Sequence, residues 1–529
     1  MLIMKLRPWF VGTVMVSLFI SAFPQISQAS TPRAWSYDSL SSINSDEVRA
    51  SFGDRVYAID MPNNWSIRST PTSFASKFNP ANFSYAIPAC NSKIKIGCIE
   101  SVRYRKSNGQ WKVATLSSYE LPNRSGEMLW RGRSPNTGEV TSEEVIGEWP
   151  ADMEKHAPAA GRASYWNFNG APHGGGSDYL VKVAVRGETS AKPIFSTWSP
   201  TTNTTRQWKN GIVQRFLEMA IFPANGITEY EFPENLEIKV RVKLGTVAKD
   251  LWGWFDGRVI NPEIILDFES SDGILEVSGS PAKIPIGLTP SKKVGELSKE
   301  FSARFDCPAG ILPSYCPRVP AGYTHGISTD GNSEISNFDS YEKEFGLVST
   351  VGYKTAWWVK TTAWPDVINL SDCPVLQSGF MGIVTTNATM YSTAAPTWDP
   401  SDKSFSFQVA SPHSGLNGEL NKGFYSLIIP KQIAECVWGQ EIAKAKVVVS
   451  IISTDGVTNA GVSNYSIRDN LISFNISGFT YSSPKIKVGL AAQPTAQPIK
   501  KTSITCIKGK ESKKVTALKP TCPKGYKKK

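Results

Sequence analysis

The sequence lacks the short motifs by which many enzymes and metal sites are identified. No Cys-x-x-Cys pair or Cys–His cluster has zinc-ligand spacing, and no Gly-x-Ser-x-Gly nucleophile elbow occurs in the 529 residues. The histidines are few and scattered, at His156, His173, His325 and His413. The sequence therefore predicts no cofactor, no metal ligand and no catalytic residue, and it favours a protein that is not an enzyme.

Long apolar stretches are also scarce. Residues 10–23 form an apolar run behind Lys5 and Arg7, and Ser27-Gln28-Ala29 fits a small-residue cleavage site. This order is typical of a secretory signal peptide, here residues 1–29, with an uncleaved membrane anchor as the alternative. No second run is long enough to span a bilayer. We therefore expect an exported chain, secreted or associated with the cell envelope, with no membrane span after cleavage.

Most of the chain lacks net charge, although its formal total is +11. Residues 500–529 hold eleven lysines and one acid, Glu511. Residues 30–499 hold 44 basic and 45 acidic side chains, which leaves a neutral body in front of a basic tail. Because the body is not basic, its charge argues against sequence-specific nucleic-acid binding.

Cysteine is present in an even number, which in an exported chain predicts disulfides. Sequence spacing does not fix the pairing. The simplest expectation joins neighbours in order: Cys90 with Cys98, Cys307 with Cys316, Cys373 with Cys436, and Cys506 with Cys522.

Strand patterns dominate the rest of the chain. Residues 236–244 alternate branched apolar and charged side chains, as in a sheet with one buried face. Asn108-Gly109 predicts a hairpin that sets Val102 and Tyr104 opposite Trp111 and Val113. Many short strands between glycine and proline turns predict a mostly β fold with two related sandwich-like domains, immunoglobulin-like or jelly-roll-like.

The predicted organisation has six parts, and the last is a small disulfide-stapled C-terminal hairpin. They are a signal peptide (1–29), a first β domain with an N-terminal extension (30–290), a connector with the Cys307/Cys316 loop (291–318), a second β domain (319–490), a linker (491–503) and a basic tail module (504–529).

A weak internal repeat suggests that the two β domains are related. One copy begins at Trp252 and the other at Trp438, and each ends on a gapless six-residue match, 283–288 against 485–490. The spacings between differ, so chance similarity is the alternative. The block is interpreted as scaffold, with the tryptophans as core anchors.

Two patterns have a catalytic and a structural interpretation. His173 and the three glycines after it look like the oxyanion loop of lipases, but the missing nucleophile elbow favours a surface turn. Asp267 and Glu269 would share one face of a strand, and paired carboxylates serve glycosidases. Because the second repeat copy carries no such pair, a solvated sheet face is the favoured interpretation.

The sixteen tryptophans also allow two interpretations. Aromatic side chains can stack on sugar rings, and Trp357-Trp358 or Trp252-Gly253-Trp254 could contribute to such a surface. Neighbours in a strand point to opposite faces, so only one of an adjacent pair could do so. Core packing is the favoured interpretation for most of them.

The C-terminal tail carries the most specific pattern. Cys506 and Cys522 stand among lysines, and the sequence ends Cys-Pro-Lys-Gly-Tyr-Lys-Lys-Lys. It resembles a short tail found on exported, uncharacterised actinobacterial proteins, and the body is similar to secreted members of that group more loosely. The resemblance implies no activity. The predicted basic surface consists of Lys508, Lys510, Lys513, Lys514, Lys519, Lys524, Lys527, Lys528 and Lys529.

Elementary physics predicts what such a tail does. A unit of this size buries too little to fold alone and needs a staple. A Cys506–Cys522 bond would close a loop of about 15 residues, worth about 3 kcal/mol in the chain-entropy model. We expect an exported non-enzymatic binding or adhesion protein, held at the envelope by anionic polymers or glycans. A solubilising tail without a partner and a secreted polysaccharide-active β-sandwich hydrolase are the alternatives.

Overall fold

The protein is described here by a computed structural model, and its regular structure is mostly strand. The structure describes residues 43–53, 66–69, 81–107, 109–119, 128–133, 140–146, 163–189, 212–226, 228–251, 253–303, 322–328, 334–361, 380–392, 396–401, 403–439, 446–452, 462–481, 485–491, 502–509, 511–517 and 521–529. The mostly β fold class is confirmed. The predicted signal peptide lies outside these residues.

The described residues up to Ser302 form strands, two short 3₁₀ turns (Gly245–Asp250 and Val294–Glu296) and one short α-helix. The strands are β1 (Glu47–Gly53), β2 (Ser66–Ser69), β3 (Ala81–Ala86), β4 (Cys98–Lys106), β5 (Lys112–Val113), β6 (Thr115–Tyr119), β7 (Met128–Arg133), β8 (Val140–Ile146), β9 (Ser164–Asn167), β10 (Asp178–Thr189), β11 (Ile212–Asn225), β12 (Thr228–Glu229), β13 (Leu236–Lys243), β14 (Gly253–Gly257), β15 (Val259–Asp267), β16 (Ile274–Leu288) and β17 (Lys292–Lys293). Helix α1 is Lys299–Ser302.

The second half adds two longer helices. Its strands are β18 (Tyr323–Ser328), β19 (Ser349–Thr361), β20 (Phe380–Thr386), β21 (Met390–Tyr391), β22 (Thr397–Asp399), β23 (Ser404–Ala410), β24 (Lys422–Pro430), β25 (Lys446–Ile452), β26 (Val462–Arg468), β27 (Leu471–Thr480), β28 (Lys485–Ala491), β29 (Thr502–Lys508), β30 (Glu511–Ala517) and β31 (Lys527–Lys528). The helices are α2 (Glu334–Phe345) and α3 (Lys431–Trp438).

In the described part of the body, strand pairing forms one large sheet, whose central and front parts are described here as two sheets, and a separate five-stranded back sheet. The central sheet runs in the order β3-β10-β11-β19-β14-β20-β24-β27-β26, and β14 and β20 are its parallel pair. A front sheet runs β5-β4-β13-β16-β15. A back sheet joins β21 and β22 to β23, followed by β28 and β25.

The central sheet is buried on both faces. Towards the front sheet, Val183 and Trp357 pack in one cluster with Val240. Towards the back sheet, Trp358 and Leu427 belong to a second cluster that includes aromatic side chains of β23. Successive side chains of a strand point to opposite faces, so one central sheet supplies both cores. The two predicted sandwiches therefore share their middle layer.

Long strands connect these layers. Residues 274–281 of β16 pair inside the front sheet, and residues 282–288 pair with β19 instead. Gly279 lies where β16 changes partners, at φ +152°, and a Cβ there would stand 2.4 Å from Val259 Cγ1. Its carbonyl oxygen accepts a 3.0 Å hydrogen bond from Trp357 Nε1. Only glycine fits this corner without displacing its neighbours.

Strand pairing crosses the predicted connector at 291–318. Both β14 and β16 pair with β19, and β14 also pairs with β20. The division into a first β domain at 30–290 and a second at 319–490 stays a prediction, and these strand pairs run between the two ranges. The predicted linker at 491–503 overlaps the end of β28 at one side and the start of β29 at the other.

The described parts of the proposed repeat occupy different surroundings. Trp438 ends helix α3, whereas the residues after Trp252, itself outside the described residues, form strand β14. Residues 283–288 pair with β19, and residues 485–490 pair with β23 and β25. The repeat stays a prediction from the sequence.

The predicted hairpin around Gly109 is present, with a different register. Val113 pairs with Arg103, and Lys112 pairs with Tyr104. In the turn, Gly109 N donates a hydrogen bond to Lys106 O, and strand pairing begins after this bond. A shift of one residue turns side chains to the other face, and Val113 is 65% exposed.

Two of the four predicted disulfides lie wholly within the described residues and are present: Cys90–Cys98 and Cys506–Cys522. Cys436 is also disulfide-bonded. The predicted Cys307–Cys316 pair, and Cys373 as the predicted partner of Cys436, lie outside the described residues. No helix in the described part of the chain has the length and apolar character needed to cross a membrane.

Candidate functional site

The C-terminal tail folds into a three-stranded antiparallel sheet, called here the basic module (residues 502–509, 511–517 and 521–529). Strand β29 lies in the middle, with β30 on one side and β31 on the other. Gly509, at φ +59°, stands in the two-residue connection between β29 and β30. The sequence predicted a hairpin, and β31 adds a third strand to it.

The disulfide takes the place of a hydrophobic core in the basic module. Cys506 is fully buried and bonds to Cys522, 16 positions later. Ile504, Ile507 and Val515 are half-buried. A sheet with so few apolar side chains gains little from burial, so the covalent link is the main constraint on its fold.

Lysines project from both faces of the basic module. On the disulfide face, Cys506 lies between Lys513 and Lys528, and Lys508 follows two residues later on the same strand. On the opposite face, Lys514 pairs with Thr505 and Lys527 pairs with Ile507.

Lys529 belongs to that opposite face as well. Its backbone N donates to Thr505 O at 2.9 Å, and it stands two residues after Lys527. Each face therefore carries three lysines, all exposed. The disulfide face has Lys508, Lys513 and Lys528, and the opposite face has Lys514, Lys527 and Lys529.

Glu511 is the single acid of residues 500–529, and it is engaged by a tyrosine. Tyr526 donates a 2.9 Å hydrogen bond to Glu511 Oε2, and this bond raises the pKa of Tyr526. The ammonium groups of Lys508 and Lys513 stand 6.0 and 5.9 Å from the centre of the Tyr526 ring, at the outer limit of cation–π contact. The sequence predicted the lysines as a basic surface but did not predict the contact between Tyr526 and Glu511.

The predicted basic residues are placed as follows. Lys524 is exposed in the segment before β31, and six further lysines occupy the two faces. Lys510 and Lys519 lie outside the described residues. Seven exposed ammonium groups beside one carboxylate can attract anions.

The His173 segment is a closed turn. Gly175 N donates to His173 Nδ1 at 3.0 Å, and His173 Nε2 contacts Asp178 O at 2.7 Å, so the ring holds the turn from both nitrogens. Burial lowers the pKa of His173. A Cβ on Gly175 would stand 2.2 Å from the ring of Tyr230, which explains the glycine by packing.

The carboxylate pair does not share a strand face. Strand β15 ends at Asp267, and Glu269 lies in the bend beyond it. Asp267 Oδ1 accepts a 3.2 Å hydrogen bond from Ser270 N, so this carboxylate caps the turn into β16. Both side chains are exposed, which gives neither of them the enclosed position that general acid catalysis requires.

Tryptophan serves packing in the described residues. Trp166, Trp254, Trp357 and Trp358 are at most 6% exposed. Trp398, Trp438 and Trp111 are half-buried, and Trp111 has Arg105 Cζ and Lys239 Nζ at 4.6 and 4.9 Å from the centre of its ring. No tryptophan whose side chain the structure describes belongs to an exposed flat row of the kind that stacks on sugars.

A buried charged network was missed by the sequence reasoning. Arg258 is fully buried, and its Nη1 donates to Thr386 O and Ala388 O at 2.9 and 2.6 Å. Tyr391 packs under the guanidinium and donates a 2.5 Å hydrogen bond to Asp256 Oδ2. The signal in the sequence was the pair Asp256 and Arg258, two opposite charges two residues apart beside the apolar strand β14. The network lies inside the second core and joins β14 to the residues after β20.

Among the described residues, no group of three His, Cys, Asp or Glu side chains could hold a metal ion. The arrangement that faces solvent with a marked chemical character is the basic module. No protein-family model, no curated protein and no solved structure matches this chain.

Proposed function

We propose that this chain is an exported, non-enzymatic binding or adhesion protein, retained at the cell envelope by anionic polymers or glycans that contact the basic module. The observation that carries the proposal is the set of seven exposed lysines on a stapled sheet, beside a single acid that binds Tyr526. The signal-peptide pattern at 1–29 supplies the expected route out of the cell.

The charge distribution supports separate roles for the near-neutral body and the basic module. The body has a net charge close to zero, so the C-terminal residues provide most of the long-range attraction to a polyanion. Each exposed lysine contributes little alone, but several on one small module act together on a polymer that carries many charges. Salt weakens such attraction, because the screening length is about 10 Å at 0.1 M ionic strength.

The hydrolase alternative has less support. Asp267 caps a turn, Glu269 lies outside the strand, and the tryptophans whose side chains the structure describes are buried or half-buried. No observation on the body favours bond cleavage over binding. A glycan-binding screen run beside a hydrolysis assay on the same polymers separates the two functions.

The test compares retention in the wall fraction across a salt series. The full chain is set against a chain ending at residue 499, which lacks the basic module. A matched control replaces three exposed lysines of the body, Lys93, Lys95 and Lys106, by glutamine. We expect the truncated chain to be released at low salt and the control to be retained like wild type. Equal retention of the full chain, the truncated chain and the control variant at low salt would contradict the proposal.

A further inference from the structure

Resting on the proposed function, we infer that the partner of the basic module is a flexible, linear polyanion that contacts both faces of the sheet, and not a flat anionic membrane. The inference rests on six exposed lysines of the described module, which lie three on each face of one thin sheet.

The first argument is geometric. Side chains on opposite faces of one sheet are separated by roughly the 10 Å that also separates packed sheets. A flat surface that touches one face leaves the three lysines of the other face about one screening length away, where salt removes most of their attraction. A flexible chain can pass around the edge strands β30 and β31 and reach all six ammonium groups.

The second argument comes from the choice of cation. Residues 500–529 contain eleven lysines and no arginine. A guanidinium offers a rigid fork that matches one carboxylate or phosphate, whereas an ammonium is a compact point charge on a flexible stem. A lysine-only surface therefore responds to the density of negative charge along a polymer more than to the shape of one acid group.

The third argument concerns insertion into lipid. Helices and segments that bind at a membrane interface bury aromatic or aliphatic side chains in it. Among the described residues of the basic module, no large apolar side chain is exposed. Tyr526 is half-buried and hydrogen-bonded to Glu511. The described residues of the module have the charge to approach an anionic surface, and none of them is an exposed apolar anchor of the kind that stable membrane binding uses.

The experiment uses the full chain and two matched triple variants. One variant carries Lys508→Gln, Lys513→Gln and Lys528→Gln on the disulfide face. The other carries Lys514→Gln, Lys527→Gln and Lys529→Gln on the opposite face, so both lose the same charge. Binding to long-chain polyphosphate and to vesicles of equal parts phosphatidylglycerol and phosphatidylcholine is measured across a salt series. Triphosphate at equal phosphate concentration controls for chain length.

We expect both variants to weaken polyphosphate binding to a similar degree. Counterion release from a flexible strand predicts a change of about 0.7 in the slope of log K against log salt for each lost contact, so each triple variant should flatten the slope by about 2. Wild type should bind polyphosphate more tightly than vesicles, and triphosphate weakly.

Three outcomes would overturn the inference. They are a loss confined to one face, vesicle binding tighter than polyphosphate binding, and no polyphosphate binding at all. The proposed function fails separately, since it requires that wall retention depend on residues 500–529. Retention that needs the basic module together with one-sided binding would keep the function and exclude the wrapped polymer.

Discussion

Tyr526 donates a hydrogen bond of 2.9 Å to Glu511 across the disulfide face of the basic module. This contact occupies the only acid of residues 500–529, which stands directly across from Lys508 in the strand register. A carboxylate turned towards a tyrosine hydroxyl competes less for the neighbouring ammonium groups. The pair therefore keeps the lysines available for an external anion.

The tyrosine–glutamate pair makes a prediction about alkaline titration. Because the hydrogen bond to Glu511 raises the pKa of Tyr526 above its ordinary value of 10.0, the hydroxyl should lose its proton at higher pH than a free tyrosine. The contribution of this bond to stability is complete below the ordinary value and is lost as pH rises through the raised pKa. Glu511→Gln should return the pKa towards the ordinary value.

Ultraviolet difference titration checks this prediction. The curve of wild type minus that of Tyr526→Phe isolates one tyrosine among seventeen. The same subtraction is then made in the Glu511→Gln background. Identical titration of Tyr526 in both backgrounds would show that Glu511 does not hold the hydroxyl.

The Cys506–Cys522 bond should decide whether the basic module stays folded. Replacing both cysteines by serine removes a constraint worth about 3 kcal/mol for a loop of about 15 residues. We expect trypsin to cleave after the module's lysines faster in this variant than in wild type. The matched variant with Cys90 and Cys98 replaced should leave those cleavage rates unchanged, and equal rates in all three proteins would contradict the account.

Gly279 should be the least replaceable of the described glycines in β16. An alanine Cβ there would meet Val259 Cγ1 at 2.4 Å and Ile260 O at 2.7 Å, at a φ of +152°. We expect Gly279→Ala to lower the free energy of unfolding by about 2–4 kcal/mol, from overpacking and backbone strain together. Gly295→Ala, whose added methyl meets nothing within 4 Å, should change it by less than about 0.5 kcal/mol.

Urea denaturation measures both glycine variants. The midpoint should fall in Gly279→Ala while the slope stays constant, because the change affects the native state alone. A midpoint equal to that of Gly295→Ala would mean that the corner of β16 can relax around a side chain.

The His173 turn should weaken in acid. Burial lowers the pKa of His173 below its ordinary value of 6.5, so the unfolded chain binds the proton more readily than the folded chain. Stability is therefore complete well above pH 6.5 and falls as pH drops through that value, until the folded pKa is reached. Protonation of Nδ1 also removes the acceptor of the Gly175 N–H.

His173→Asn keeps an acceptor near the Nδ1 position and does not titrate. Melting temperatures of wild type and this variant should run parallel above pH 7 and diverge below pH 6.5, with wild type losing more. Parallel curves through the whole range would show that His173 does not couple to folding.

The local strand pattern was readable from the sequence. Residues 236–244 were predicted as a half-buried strand, and β13 spans Leu236–Lys243 with every second residue buried. Such elements are predictable because alternation and apolar spacing act within one segment.

The arrangement of the strands was not readable in the same way. The parallel pair β14–β20 joins residues more than a hundred positions apart, and no local pattern encodes that partner. Trp357 and Trp358 fill two different cores because β19 is buried on both faces, and alternation carries no signal in such a strand.

The site was predictable in composition and not in geometry. The lysines followed from residue types, and the Cys506–Cys522 pair was the simplest expectation among pairings that spacing left open. The Tyr526–Glu511 contact depends on the register of β29 with β30 and on the path of the chain to β31, which residue types alone do not fix.

Under the proposed function, charge on the basic module, and not its fold, retains the protein at the envelope. The most direct test of this claim is the retention on isolated cell envelopes of a variant in which the seven described lysines of the module are glutamine and both cysteines remain. We predict release of this variant at low salt, with no further dependence on salt, while wild type is retained at low salt and released as salt rises. Retention of the glutamine variant equal to that of wild type at low salt would contradict the account.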